Sequence, residues 1–471
     1  MGCSIVWLRD DLRTADNPAL TAAVETGDSV VVVYILDERS AGIRPLGGAT
    51  RWWLHHSLEA LAYRVHRLGG TFVLRSGPAH DVVRDLIRET NATSIFWNRR
   101  YGLAERTVDS EVKEYARAAG LTAESFGANL LFEPWTIRTG NGTPYTVFTP
   151  FWKTCLARPE PVRQSLAAPA ALNPFEGALA SDDLGSWKLL PAKPNWALAF
   201  GTRWKPGEQG AHACLDRFVS TRLARYAEHR DEPGIAATSE LSPHLRFGEI
   251  SPYQVWEAIE KVKVGADAAT MTNCTKFISE VGWREFSYHL LYHWPTLPSE
   301  NWDARFNSFP WTAPDPALLG AWQQGETGIP LVDAGMRELW QTGTMHNRVR
   351  MIAASFLVKN LLIDWRVGEA WFWDTLVDAD AASNAASWQW VAGSGADAAP
   401  YFRVFNPMLQ AEKFDKRADY IGRYVAEADL GAVGGYPEPI VDLKASRDRA
   451  LAAFASISKL PRSIRPPHPT D

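Results

Sequence analysis

The sequence predicts an α/β N-terminal domain built on a doubly wound parallel sheet, followed by an all-α C-terminal domain. Three observations point there. Short apolar runs alternate with amphipathic stretches over the first ~130 residues. A stretch rich in Pro, Ala, Gly and isolated Trp follows at 158–210. After Ala211 the pattern is helical almost throughout. The runs SIVWL (4–8), VVVVYIL (30–36), TFVLR (71–75) and SIFWN (94–98) read as buried strands. Segments 50–68, 79–90 and 105–119 read as helices, the first capped by Thr50 and ended by Gly69-Gly70. Such alternation places a ligand at the carboxyl ends of the strands. No G-x-G-x-x-G follows the first strand, so the usual dinucleotide fingerprint is absent there.

The connector at 158–210 is too long for an ordinary loop and reads as an interdomain linker. The predicted helices beyond it are 212–226, 251–263, 273–293, 329–341, 346–362 and 368–376. The expected division is a domain at 1–135, a linker at 136–210, a helical domain at 211–430 and a short helical tail at 431–471.

Composition narrows the function classes. A net charge of −5 over 471 residues excludes a nucleic-acid binder that works by bulk charge, but leaves room for a local basic cleft. Cys3, Cys155, Cys214 and Cys274 form no C-x-x-C pair and read as reduced thiols, as expected of a cytoplasmic protein. The histidines show no metal spacing; His55 and His56 are adjacent and point apart on a helix, so no metal site is expected. The N-terminus enters a strand pattern directly, without a signal peptide, and the apolar runs are too short or interrupted to span a membrane. The chain has 21 tryptophans, an unusual number, most of them after residue 150.

Four segments carry candidate chemistry. In TSELSPHLRFGEIS (238–251), Thr238, Ser239 and Ser242 place hydroxyls at a helix start, with Ser242 as N-cap and Pro243 in the first helical position. One hydroxyl would suffice for capping; three suit a phosphate. In SEVGWREFSYHL (279–290), Glu280, Trp283, Arg284 and Ser287 share a helical face that suits an unstacked base. The plainer reading is an exposed Glu280–Arg284 pair beside a core tryptophan. In GTMHNRVRMIAASF (343–356), Asn347, Arg350 and Met351 share a face, with Arg348 turned partly away. The stretch Asp378–Gln410 holds Asp378, Asp380, Asn384, Trp388, Trp390 and Gln410, spaced largely by Ala, Ser and Gly. Large aromatics set among small residues let a flat ligand approach the backbone. No G-x-S-x-G, Cys-His set or P-loop stands out, which assigns the chemistry to a cofactor.

Together, VWLRDDLRTADNPAL (6–20), TSELSPHLRFGEIS, WREF, MHNRVRM, NAASWQW and FNPMLQAEKFD (405–415) closely resemble the photolyase/cryptochrome family over nearly the whole chain. GGATRWWLHHSL (47–58), WNRRY (97–101) and the 378–400 stretch look most like its class III cyclobutane-pyrimidine-dimer photolyases. The resemblance implies an antenna-binding N-terminal domain and a C-terminal domain holding FAD. It places Tyr226, Thr238, Ser239, Glu240, Leu241 and Ser242 around the FAD phosphates. Phe277, Arg350, Asp378 and Asp380 would complete the cofactor site, with Asn384 facing the flavin N5. Glu280, Trp283, Asn347, Met351 and Trp390 would line the dimer pocket, and Arg230, Arg348 and Gln410 would contact the DNA backbone. Trp388, Trp365 and Trp311 would carry electrons to the flavin from the surface. Glu105 would bind a methenyltetrahydrofolate antenna, although Ala104 stands where some relatives have Asn; a deazaflavin, or no antenna, is the alternative. The implied partner is UV-damaged DNA, and the implied state a monomer with no obligate protein partner. The implied activity is light-driven dimer repair, with a non-repairing blue-light receptor or a (6-4) photolyase as alternatives.

Overall fold

Residues 2–160, 162–398, 402–428, 435–462, 464, 467 and 468 are described by the computed structural model. Residues 399–401 of the Asp378–Gln410 stretch, and 429–434, lie outside it.

Five strands form one parallel sheet in the order β3-β2-β1-β4-β5: β1 (Cys3–Leu8), β2 (Ser29–Leu36), β3 (Thr71–Ser76), β4 (Ser94–Asn98) and β5 (Thr122–Phe126). The four apolar runs are strands because helices cover both sheet faces. Along β1, Cys3, Ile5 and Trp7 enter one apolar layer, and Val6 and Leu8 the other. β5 was not predicted; its sequence TAESF is too polar and too short to stand out. The helix Pro18–Glu25 was missed as well, and is capped by Asn17, whose Oδ1 accepts from the Leu20 N–H at 3.1 Å. The helix Gly48–Arg67 starts at Gly47, so Thr50 is not its cap; the Thr50 hydroxyl donates to the Gly47 carbonyl instead.

The connector runs back over the sheet domain: the Leu172 N–H donates to the Leu68 carbonyl and the Asp182 N–H to the Leu74 carbonyl. Just ahead of it, the helix Phe148–Leu156 packs on the long helix Ala268–His293.

Beyond residue 207 the described chain is helical. The predicted helix 212–226 is broken into Glu208–Arg217, a widened turn at Phe218–Arg222, a tight turn at Leu223–Arg225 and the single turn Tyr226–His229. Helix 346–362 likewise ends as Asn347–Ser355 and widens over Phe356–Asn360. The helix Ser383–Ala392 lies between two cores. Ala385 belongs to the core around Ala268–His293, while Trp388, Val391 and Ala392 belong to the core around Asn347–Ser355. Glycine makes this packing possible: a Cβ on Gly368 would lie 2.1 Å from the Trp388 ring.

Charged side chains fasten the two domains. Arg246 donates to Asp10 Oδ1 at 2.7 Å and to the Ala379 carbonyl at 2.8 Å. Arg44 makes a two-point contact with Glu369 at 2.8 and 3.0 Å. Arg284 donates to the Asn129 carbonyl at 2.6 Å, so it belongs to this joint and pairs with neither Glu280 nor solvent.

Burial holds three histidines neutral. It lowers His289 to about 3 and His293 and His346 to about 4. Between those values and pH 6.5 the unfolded chain binds protons that the folded chain does not, so stability is lost on acidification. Glu285 opposes this: burial raises it to about 7, and the folded carboxyl gains its proton first. Burial raises Asp11, Asp333, Glu338 and Asp397 in the same sense as Glu285, so the share of one histidine is read by difference. His346→Asn, which keeps a capping side chain, is expected to shift the change in thermal midpoint between pH 6.5 and pH 4.5 upward relative to the parent chain. An unchanged pH dependence in the variant would contradict the assignment.

Candidate functional site

The sequence-predicted site residues fall on the loop 237–241 and on the helices Ala268–His293, Asn347–Ser355 and Ser383–Ala392, among others. On the loop, Glu240 has φ +60° and draws three arginines, Arg222 at 2.9 Å, Arg217 at 3.1 Å and Arg203 at 3.6 Å. Its carboxylate therefore braces the loop that carries Thr238 and Ser239. Arg222 also donates to the Thr238 carbonyl at 2.7 Å, and Ser239 Oγ accepts from the Leu241 N–H at 3.4 Å. Ser242 is not an N-cap. Leu241 takes that place without a side-chain bond, Pro243 is the second helical residue, and the helix Ser242–Arg246 is five residues long. A helix so short adds little dipole, which shifts any phosphate contact to hydroxyls and backbone N–H groups. Tyr226 is buried edge-on against Phe277 and Phe218.

Arg350 reads as a structural clamp. It turns inward, donates to both Asp378 oxygens at 3.1 and 3.0 Å, and also reaches the Met345 carbonyl at 2.7 Å. Asp380 caps the helix Ser383–Ala392, its Oδ1 accepting from the N–H groups of Ala382 and Ser383 at 2.9 and 2.7 Å. Asn384, 7 % exposed, commits its NH₂ to the Glu369 carbonyl at 3.1 Å and to Glu369 Oε1 at 2.9 Å. That fixes the amide orientation and leaves Oδ1 to accept a bond from a ligand N–H. Glu369 carries the Arg44 contact as well, so a residue of the sheet domain supports Asn384. Neither Arg44 nor Glu369 was predicted; their partners are 325 residues apart in sequence.

Trp283 and Trp390, the two tryptophans expected at the site, are linked through Phe148 and Asp397. Trp283 is 36 % exposed and stacks on Phe148, with centroids 3.8 Å apart and planes at 12°. Trp390 is half-buried, its Nε1 donating to the Asp397 carbonyl at 3.0 Å. The Phe148 N–H reaches Asp397 Oδ2 at 3.4 Å, so Phe148 and Asp397 join the two tryptophans. Phe148 was also missed, lying in a segment read as linker. Glu280 forms an ion pair with Arg230 rather than Arg284. Arg348 pairs with Asp231 at 3.0 Å over the Phe414 ring, and His346 caps its helix through Nδ1. Met351 is half-buried, Asn347 is exposed, and Gln410 lies half-buried on the helix Pro407–Phe414.

Trp388 and Trp365 are buried in one core, and Trp311 packs on its rim, half-buried. Trp388 lies edge-on to Phe372 at 4.9 Å, and Trp365 Nε1 donates to Asn301 Oδ1 at 2.8 Å. Far from this site, Glu105 folds over Gly102 near Arg100. His55 and His56 do not point apart: both reach Glu59, at 3.5 and 2.9 Å, on the helix Gly48–Arg67. No helix among the described residues is long and apolar enough to cross a membrane.

Residues 4–171 match the family model described as DNA photolyase, and residues 277–430 the one described as FAD binding domain of DNA photolyase. A deoxyribodipyrimidine photo-lyase of Agrobacterium fabrum is 50 % identical, over 97 % of this chain and 98 % of that protein. Cryptochrome-1 of Arabidopsis thaliana is 34 % identical over 98 % of this chain and 72 % of that protein. The crystal structure of a bacterial class III photolyase from Agrobacterium tumefaciens superposes with a TM-score of 0.92 at 48 % identity, covering 98 % of each chain. The chain belongs to the photolyase/cryptochrome family, on its class III branch.

Proposed function

We propose that the chain is a light-driven DNA-repair lyase that splits cyclobutane pyrimidine dimers and uses FAD. The observation that carries this reading is the pair of tied tryptophan walls, Trp283 and Trp390, in the domain that holds Asn384. The residues fit FAD: the Asn384 amide is fixed with its oxygen unclaimed, and Thr238 and Ser239 sit on an arginine-braced loop. When bound, FAD would supply light-driven electron transfer to and from the dimer. Asn384 would accept a hydrogen bond from the flavin N5–H through Oδ1. Thr238, Ser239, Leu241 and Ser242 would hold the phosphates, with Glu240 bracing their loop, and Arg350, Asp378, Asp380 and Phe277 would shape the remainder.

A dimer stacks poorly in the duplex and so costs less to extrude than an intact pair. Trp283 and Trp390 receive it by stacking; Glu280, oriented by Arg230, accepts a hydrogen bond from a thymine edge; Asn347 and Met351 close the pocket. Trp388, Trp365 and Trp311 form a buried-to-surface series suited to re-reducing the cofactor. Glu105 is the proposed contact of a methenyltetrahydrofolate antenna. On this reading the chain acts as a monomer, in the cytoplasm, without an obligate protein partner.

DNA binding rests on a local rim: Arg230, Arg348 and Gln410, with the exposed Lys413, Lys416 and Arg417 on or next to the helix Pro407–Phe414. Arg284, tied into the domain joint, is not part of it. Three or four neutralised phosphates give a slope of about −3 for log affinity against log salt. Titration of dimer-containing and intact duplexes over a salt series tests this. The expected result is a marked preference for the damaged duplex and that shallow slope. Equal affinity for both duplexes would sink the proposed function, and a salt-independent affinity would remove the rim.

A further inference from the structure

A cavity of about 110 Å³, several times the room one water needs, is bordered by Trp390 and by Phe454 of the helix Leu443–Ser458. Its charged lining is Lys359, Arg305, Arg403, Arg462 and Asp303, four cations against one carboxylate. The cations come from separate parts of the chain, so the cluster is invisible in the sequence, and none of the five is a flavin, dimer or DNA contact of the repair reading. Asp303 is already engaged: Arg305 grips both its oxygens, at 3.1 and 2.7 Å, and Arg462 reaches Oδ2 at 3.5 Å. Lys359 sits on the widened turn Phe356–Asn360 and is 2 % exposed. Its amine donates to the Arg403 carbonyl at 2.5 Å and lies 4.0 Å from the centroid of the Phe402 ring. Among the described residues no carboxylate pairs with it, and a buried cation without a counter-charge is costly. Burial, and after it the Arg403 charge, lowers its pKa to about 7.

We propose that this cavity binds a phosphate group, with Lys359 as its inner cation and Arg305, Arg403 and Arg462 as the donors around it. A tetrahedral oxyanion supplies the negative charge that the lining lacks, and guanidinium groups match its oxygens. Beside the Phe402 and Phe454 rings, which stack with centroids 4.6 Å apart, the attraction is screened less than at an open surface. The bound anion holds the proton on Lys359. Binding therefore takes up a proton at pH 8, where the amine is mostly neutral beforehand, and takes up little at pH 6, where it is mostly charged. The phosphate comes from a free ion or nucleotide, or from the DNA backbone. The burial of Lys359 favours the free source, because a small ion reaches a cavity of this size and a duplex backbone does not.

Calorimetric titration of the purified holoprotein with sulfate, at ionic strength held constant with chloride, tests the site. Sulfate has the shape of phosphate but no proton to exchange near neutrality, so titrations in two buffers of different ionisation heat count the protons taken up by the protein. One sulfate per chain is expected, displaced by orthophosphate, with a proton uptake that is clear at pH 8 and small at pH 6. Lys359→Met, which keeps the length of the side chain, is expected to weaken sulfate binding about tenfold and to abolish the proton uptake. Arg462→Gln, at an exposed side chain, is expected to weaken binding several-fold and decides the matter if the first variant fails to fold. No saturable sulfate binding, unchanged affinity in Lys359→Met, or unchanged affinity in Arg462→Gln where that variant alone folds, would overturn the proposal. The affinity of Lys359→Met for a dimer-containing duplex at fixed salt identifies the source. An unchanged value assigns the site to a free phosphate, and a loss in step with that of sulfate assigns it to the backbone. Sulfate binding needs neither light nor DNA, so its failure is separable from failure of the repair reading.

Discussion

Trp390→Ala is expected to weaken binding of dimer-containing DNA by about 1–3 kcal/mol while FAD stays bound. The magnitude is that of one lost base–aromatic stack. The separation of effects follows from the helix Ser383–Ala392. Trp388, two positions earlier, turns about 200° away and is buried against Phe372 and Trp322. Trp390 instead holds its ring at the wall through the Asp397 carbonyl, and nothing in the Asn384–Glu369 contact depends on it. Titration of a fluorescent damaged duplex gives the affinity, and the flavin absorbance of the same preparation gives the cofactor content. Loss of FAD in this variant would mean that Trp390 belongs to the cofactor site.

Glu369→Ala is expected to lower stability by about 1–3 kcal/mol and to slow light-driven reduction of the flavin several-fold. Glu369 is buried and serves two partners at once, Arg44 from the sheet domain and the Asn384 amide. Its removal leaves a buried N–H of Asn384 without its carboxylate acceptor, which carries the cost of an unsatisfied polar group. Arg44 is partly solvated, so its share of the loss is smaller. It also lies over the Trp373 ring at 4.0 Å, which keeps it in place. Glu369→Gln retains an acceptor and is expected to recover most of the stability. Denaturant unfolding and the decay of blue absorbance under illumination measure the two effects. Stability equal to that of the parent chain would show that Asn384 is positioned by other contacts.

The sheet was legible because four of its strands are continuous apolar runs, the mark of burial on both faces. β5 was not, because TAESF carries two polar residues and a charge and sits at the sheet edge. Helix 212–226 was legible as helical periodicity, but its break at Phe218 was not, since the widened turn is set by the packing of Phe218 on Tyr226 and Phe277. Among the expected site residues, local partners were not legible. Glu280 and Arg284 share a helix face, yet Arg230 takes the first and the Asn129 carbonyl the second, because tertiary neighbours compete with a weak i,i+4 pair. Ser242 has the ideal identity for a cap, yet the chain enters the helix one residue earlier. Phe148 and Arg44 are invisible as site residues because their partners are distant in sequence, and Glu369 because it meets Asn384 from a different helix.

The central claim is light-driven splitting of a pyrimidine dimer, and its most direct test is repair by the purified flavin-loaded protein. An oligonucleotide carrying one thymine dimer is mixed with photoreduced protein and divided between blue light and darkness, and the intact strand is measured by chromatography. Restoration of the thymines in light alone is the predicted result. A dimer that persists in light, with FAD bound and reduced, would contradict it.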